Sequence, residues 1–138
     1  MDYGHWHCDL DEFEVDEHFG FIYRVTDLVN GRQYIGRKQF HNHTRKKIKG
    51  RKNRKRVIKE DKWREYTTSS RQINELIAEH GIDRFKFEIL ELCKTKGELT
   101  YREAQIQWEE KVLEATLEDG TPAYYNGQIG AVKFKLKK

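Results

Sequence analysis

The sequence predicts a small mixed α/β (α+β) domain, a three-stranded antiparallel sheet flanked by helices, and three observations predict it. Residues 21–26 alternate at the strand period and lead through Asn30-Gly31 into a second strand at Tyr34-Ile35-Gly36. Residues 84–92 alternate again and supply a third strand beside that hairpin. Two further stretches, 70–80 and 98–116, carry apolar residues at helical spacing.

Taken in order, residues 1–18 lack strong periodicity and read as an acidic arm, with 19–138 forming the domain. The arm is expected to be a solvated tail. Its His5, His7 and Cys8 are three candidate metal ligands without a fourth, which argues against a closed zinc site. In the hairpin, Phe21, Tyr23 and Val25 alternate with Ile22, Arg24 and Thr26, and Asn30-Gly31 suits a tight turn. Antiparallel pairing of its arms can bring the hydroxyls of Tyr23 and Tyr34 into one pocket.

A basic insert follows at 45–62, where eleven of eighteen residues are Lys or Arg. Like-charge repulsion should keep it extended or mobile in the absence of a polyanion. Ser69 and Gln72 have the spacing of a capping box, Ile73, Leu76, Ile77 and His80 mark one helical face, and Gly81 stops the helix. The third strand ends at Cys93, a packing residue. A second capping box at Thr100 and Glu103 belongs to the helix over 98–116, whose apolar stripe includes Leu99, Ala104, Ile106, Trp108, Val112 and Leu113. Glu103 lies close to that stripe, where a carboxylate is costly unless paired or bound to a cation; the capping interaction is the alternative. Residues 131–138 alternate apolar side chains with Lys, as a protected edge strand or a second DNA-contacting edge would.

The chain has 138 residues, 36% apolar and 36% charged, which suits one domain with a modest core. No apolar run reaches the ~20 residues of a membrane span, so no membrane partner is expected. Two cysteines do not make a disulfide framework, and a cytoplasmic location is expected. Charge is segregated: seven acids and no Lys or Arg precede His18, against the basic run at 45–62. Such a run releases counterions from a phosphate backbone and so points to nucleic acid. Lys38, Lys46, Lys47, Lys49, Arg51, Lys52, Arg54, Lys55 and Arg56 are the expected DNA contacts, and they position without reading sequence. Folding of the acidic arm over this run would lower unproductive DNA binding.

These residues can supply phosphodiester hydrolysis. Tyr23 can serve as general base if cations such as Arg37, Lys38 or Arg45 pull its phenol down toward working pH. Glu103 can ligate one Mg²⁺ or Mn²⁺, a hard cation suited to carboxylate and phosphate oxygens. An Arg on the non-bridging oxygens completes the electrostatics.

The paired tripeptides Phe21-Ile22-Tyr23 and Tyr34-Ile35-Gly36, ten residues apart, resemble the GIY-YIG nuclease superfamily, with Phe21 in place of the first Gly. The resemblance extends over residues 20–127. It is nearest to free-standing phage homing-type endonucleases, which share the Tyr-Ile-Gly-Arg-Lys-Gln-Phe continuation and a basic segment before Trp63. It implies a metal-dependent DNA endonuclease with Tyr23 and Tyr34 as the hairpin tyrosines, Glu103 as metal ligand and Asn126 as the late Asn of the site. The family's Arg falls at Thr44, which leaves Arg45, Arg37 or a residue of the insert. The resemblance also implies double-stranded DNA as partner. The tethered recognition domain of intron-encoded members is not expected, and double-strand cleavage would take a homodimer or two nicks. The alternative is a catalytically inactive nucleic-acid-binding module of the same fold, motivated by Phe21 and the shifted Arg; RNA binding through the insert is a third reading.

Overall fold

The computed structural model describes residues 1–46 and 55–130, with side chains described for 1–42 and 59–130. Strand β2 (Gly20–Asp27) is the centre. It pairs antiparallel with β3 (Gln33–Gln39) on one side and with β6 (Phe85–Cys93) on the other, so the three expected antiparallel strands are present. A fourth strand, β1 (Trp6–Cys8), adds to β6 in parallel, giving the order β1-β6-β2-β3.

That fourth strand corrects the reading of residues 1–18 as a solvated tail. Trp6 is 4% exposed, packs against Phe21, Tyr23 and Phe87, and donates its indole N–H to Trp63 O at 3.1 Å. Phe13 and Val15 are buried as well, while the acids between them stay outside. Apolar burial therefore outweighs the charge of this segment. His5, His7 and Cys8 do not converge: among the described residues no group of three or more His, Cys, Asp or Glu is placed to hold a metal.

β2 is buried on both faces. Phe21, Tyr23 and Val25 join Trp6, Phe40, Trp63 and Phe87 under α1 (Arg71–His80), whereas Ile22 joins Ile35, Leu99 and Ile106 under α2 (Lys96–Glu109). A bulge in β6 keeps both faces apolar. The register shifts between Ile22, opposite Glu91, and Tyr23, opposite Ile89. A one-residue shift exchanges faces, so Phe85, Phe87 and Ile89 lie with Leu92 on the aromatic side while Leu90 and Cys93 face α2. Phe21, which departs from the family tripeptide, is a packing residue wedged among Trp6, Phe40 and Trp63.

Three local expectations need revising. The hairpin loop is longer than a two-residue turn: Asp27 N donates to Arg32 O, leaving residues 28–31 outside the ladder, and of Asn30 and Gly31 only Gly31 has positive φ. The buried Asp27 carboxylate organises that loop, accepting from Val29 N, from both forks of Arg84 and from the Tyr125 hydroxyl. The second helix starts and ends earlier than expected. Thr95, not Thr100, caps it by accepting from Glu98 N at 3.1 Å, and Lys111 at φ 53 turns the chain away after it. Trp108, within the last turn of the helix, and Leu113, beyond its end, are exposed rather than part of the stripe.

The described ends of the basic insert form an antiparallel ribbon, β4 (His41–Lys46) with β5 (Lys55–Glu60). Its root is tied to the core: Asp61 N donates to Phe40 O, Lys38 Nζ pairs with Asp61, and Phe40 packs on Trp63. The register sets Arg45 opposite Arg56 and Lys46 opposite Lys55. Like charges directly opposite are destabilising in isolation, which favours a polyanionic partner. Lys47, Lys49, Arg51, Lys52, Arg54 and the terminal stretch 131–138 lie outside the described residues. Among the described residues no helix is long and apolar enough to cross a membrane.

Candidate active site

A cleft of about 410 Å³ opens where β3, α2 and the segment after Gly120 meet, lined by Tyr34, Arg37, Ser69, Thr100, Glu103, Gln107 and Asn126. Each element delivers its side chain for a local reason. In β3, Tyr34 pairs opposite Val25 and Tyr23 opposite Gly36, so the two phenols lie on one sheet face as diagonal neighbours with ring centroids 6.2 Å apart. The spacing of four places Glu103 and Gln107 on one side of α2.

The two tyrosines differ in environment. Tyr23 is fully buried; its Oη lies 3.2 Å from Thr68 Oγ1 and 3.5 Å from Tyr66 Oη and accepts from Ser69 N at 3.4 Å. Burial, reinforced by the Tyr66 phenol, pushes its own phenol well above the ordinary value. The expectation that Arg37, Lys38 or Arg45 lowers it is therefore corrected, because desolvation dominates. Tyr34 is half-buried and reaches the cleft, where its Oη is 2.8 Å from Ser69 Oγ. Burial raises its phenol too, the Ser69 hydrogen bond opposes that, and the Glu103 charge adds to it.

Arg37 and Glu103 face each other across the cleft. Arg37 Nη1 donates to Thr100 Oγ1 at 2.9 Å and lies 3.4 Å from Glu103 Oε1. The Glu103 side chain is 19% exposed; burial raises its carboxyl above the usual range, and the Arg37 charge partly offsets this. Glu103 is thus free of the predicted capping role, since Thr100 donates to Lys96 O inside the helix. One desolvated carboxylate beside open space suits a hard divalent cation whose remaining ligands are water and phosphate oxygens.

Asn126 plays another part than the sequence suggests. Its amide is spent on one peptide: Oδ1 accepts from Ile35 N at 3.0 Å and Nδ2 donates to Ile35 O at 2.8 Å. Gln107 Nε2 donates to the same carbonyl at 2.9 Å. Both residues line the cleft with amides that clamp the free edge of β3, and so fix Tyr34 and Arg37.

Lys38, expected on DNA, instead pairs with Asp61 and lies 4.7 Å over the Tyr66 ring, bracing the ribbon root. Arg45, Lys46, Lys55 and Arg56 are placed by their backbone in the ribbon, leaving Arg37 as the arginine the described residues bring to the cleft. Sequence reasoning missed Ser69, Thr100 as the Arg37 partner, and Gln107. Ser69 carried a signal, as a second hydroxyl beside a helix cap, but read as the cap itself; Ser70 holds that position.

A family model described as "Putative endonuclease segE, GIY-YIG domain" matches residues 6–129. No curated protein and no solved structure matches the chain significantly.

Proposed function

The chain belongs to the GIY-YIG endonuclease family, a family of DNA endonucleases, and from that premise we propose that it hydrolyses DNA phosphodiesters in the cleft between β3 and α2. The convergence of Tyr34, Arg37 and Glu103 on one open hollow carries this reading. Arg37 offers its guanidinium to the non-bridging oxygens of the scissile phosphate, trading its contact with Glu103 for a phosphate. Tyr34, whose side chain reaches the cleft, acts as the phenolate and takes the proton of the attacking water as that oxygen bonds to phosphorus and the 3′ oxygen departs, to be protonated by solvent. Tyr23, enclosed behind it, supports Tyr34 and the 66–69 loop.

Glu103 holds one Mg²⁺ or Mn²⁺, which supplies Lewis-acid stabilisation of the phosphate charge when bound. The β4–β5 ribbon, rooted at the end of the strand that bears Tyr34 and Arg37, tracks the backbone of double-stranded DNA. The resemblance to free-standing phage enzymes supports a homing-type role in an infected bacterial cell. Double-strand cleavage by one cleft per chain requires a homodimer or sequential nicks.

Nicking of supercoiled plasmid in Mg²⁺ tests the reading. Wild type nicks, and Glu103→Ala and Tyr34→Phe nick slower by about 100-fold or more. Plasmid binding by wild type with no nicking would favour the inactive binding module instead, and preferential competition by duplex RNA would overturn DNA as substrate.

A further inference from the structure

Ser69 touches both hairpin tyrosines. Its Oγ lies 2.8 Å from Tyr34 Oη, and its backbone N–H donates to Tyr23 Oη at 3.4 Å. The loop that carries it is pinned without using that hydroxyl. Thr67 Oγ1 donates to Asn74 Oδ1 at 2.7 Å, Asn74 Nδ2 donates to Thr68 O at 2.9 Å, and Thr68 Oγ1 accepts from Ser70 N at 3.2 Å. The cap of α1 is Ser70, whose Oγ accepts from Ile73 N. Thr68 and Ser70 are buried, whereas Ser69 is exposed and lines the cleft. The hydroxyl of Ser69 is therefore held in place by its neighbours and serves neither loop nor helix.

We propose that Ser69 is a positioning residue for Tyr34, holding the phenol oxygen in the cleft and serving as its hydrogen-bond partner in both protonation states. A serine hydroxyl is one donor and two acceptor lone pairs. It accepts from Tyr34 while the phenol keeps its proton and, by rotating, donates once the proton has gone. The second arrangement is an O–H···O⁻ bond, which is shorter and stronger than its neutral counterpart. A backbone N–H can donate to the phenol oxygen but cannot accept its proton, and a carboxylate can accept that proton but cannot donate to the phenolate. Ser69 thus opposes the burial that penalises ionised Tyr34. The inference rests on Tyr34 being the reacting phenol of the proposed nuclease.

Two measurements on the full chain separate the inference from that reading. In protein labelled with ring-¹³C tyrosine, the Tyr34 signal, assigned by its loss in Tyr34→Phe, titrates at higher pH in Ser69→Ala and returns toward wild type in Ser69→Thr. In plasmid nicking, Ser69→Ala lowers kcat about tenfold with KM unchanged, the size of one hydrogen bond to a charged oxygen. The same change on a Tyr34→Phe background has no further effect. An unmoved Tyr34 titration, or losses that multiply in the double variant, overturns the role of Ser69. Absence of nicking by wild type overturns the nuclease mechanism, while the titration still decides whether Ser69 governs Tyr34.

Discussion

Tyr23 and Gly36 are cross-strand partners, and the hydroxyl of Tyr23 fills the place a side chain at 36 would take: a Cβ there would lie 2.5 Å from Tyr23 Oη and 2.9 Å from Tyr34 Cε1. The last glycine of the second tripeptide is thus required for close approach. Gly36→Ala should cost about 1–3 kcal/mol, the usual penalty of overpacking, read as a lower urea midpoint. Because the same Cβ also displaces Tyr34, nicking should fall while plasmid binding persists. An unchanged midpoint would show that the two strands separate easily, against this packing.

Asn126 predicts the opposite separation of stability from chemistry. Asn126→Ala leaves the buried Ile35 N–H without its acceptor, a loss of about 1–3 kcal/mol. Nicking by the folded fraction should drop modestly through movement of β3, with its pH dependence intact. A variant of full stability and no activity would return Asn126 to the reacting atoms.

The hairpin and third strand were legible because β-branched and aromatic residues alternate along them, and α1 because its cap and its stop both have local signatures. The N-terminal strand was not. Three residues are too few for periodicity, and the surrounding acids mask Trp6, Phe13 and Val15, whose burial was the available clue. Thr95–Glu98 and Thr100–Glu103 share one capping spacing, so pattern alone could not choose between them; the earlier pair caps the helix, and Glu103 is left to the cleft. Tyr34 and Glu103, which line the cleft, stood out from the tripeptides and from a carboxylate beside an apolar stripe, whereas Arg37 was one of several arginines that the sequence left open. Ser69 and Gln107 act on residues far away in sequence, across contacts no local pattern encodes.

Glu103 should trade stability for function. Its carboxyl is raised by burial, so the folded protein holds that proton more tightly than the unfolded chain does. The resulting stability is present below the unfolded carboxyl value and is lost as pH rises through the folded one. Glu103→Gln removes the desolvated carboxyl, and the metal-free variant should melt a few degrees above wild type at pH 7. Millimolar Mg²⁺ should raise the Tm of wild type and leave Glu103→Gln unmoved. Equal responses to Mg²⁺ would place the cation elsewhere.

Nicking should accelerate with pH. The Tyr34 phenol lies above its ordinary value near 10, so below that point its ionised fraction grows about tenfold per pH unit. In saturating Mg²⁺ and DNA, log kcat should rise with a slope near 1 between about pH 6.5 and 8.5, the behaviour of a base titrating above the range. Tyr34→Phe should lower the rate and flatten the slope. Tyr23→Phe should keep the slope and lower the Tm instead, because it loses the contacts with Thr68, Tyr66 and Ser69 N. A slope that vanishes with Tyr23 and survives without Tyr34 would exchange their roles.

The ribbon should account for salt dependence and leave the chemistry alone. Arg45 opposite Arg56 and Lys46 opposite Lys55 concentrate charge along a ribbon whose root is fixed to the core by Asp61 and Phe40. Each phosphate contact contributes roughly 0.9 to the slope of log affinity against log salt on duplex DNA. Replacing Lys46, Lys55 and Arg56 together by Ala should reduce that slope by about 2–3, to the same extent for unrelated duplex sequences, since phosphate contacts carry no base information. At saturating DNA and low salt, kcat should remain close to wild type, because Tyr34, Arg37 and Glu103 are untouched. An unchanged slope would remove the ribbon from the DNA path, and a loss confined to one sequence would make it a reader of bases.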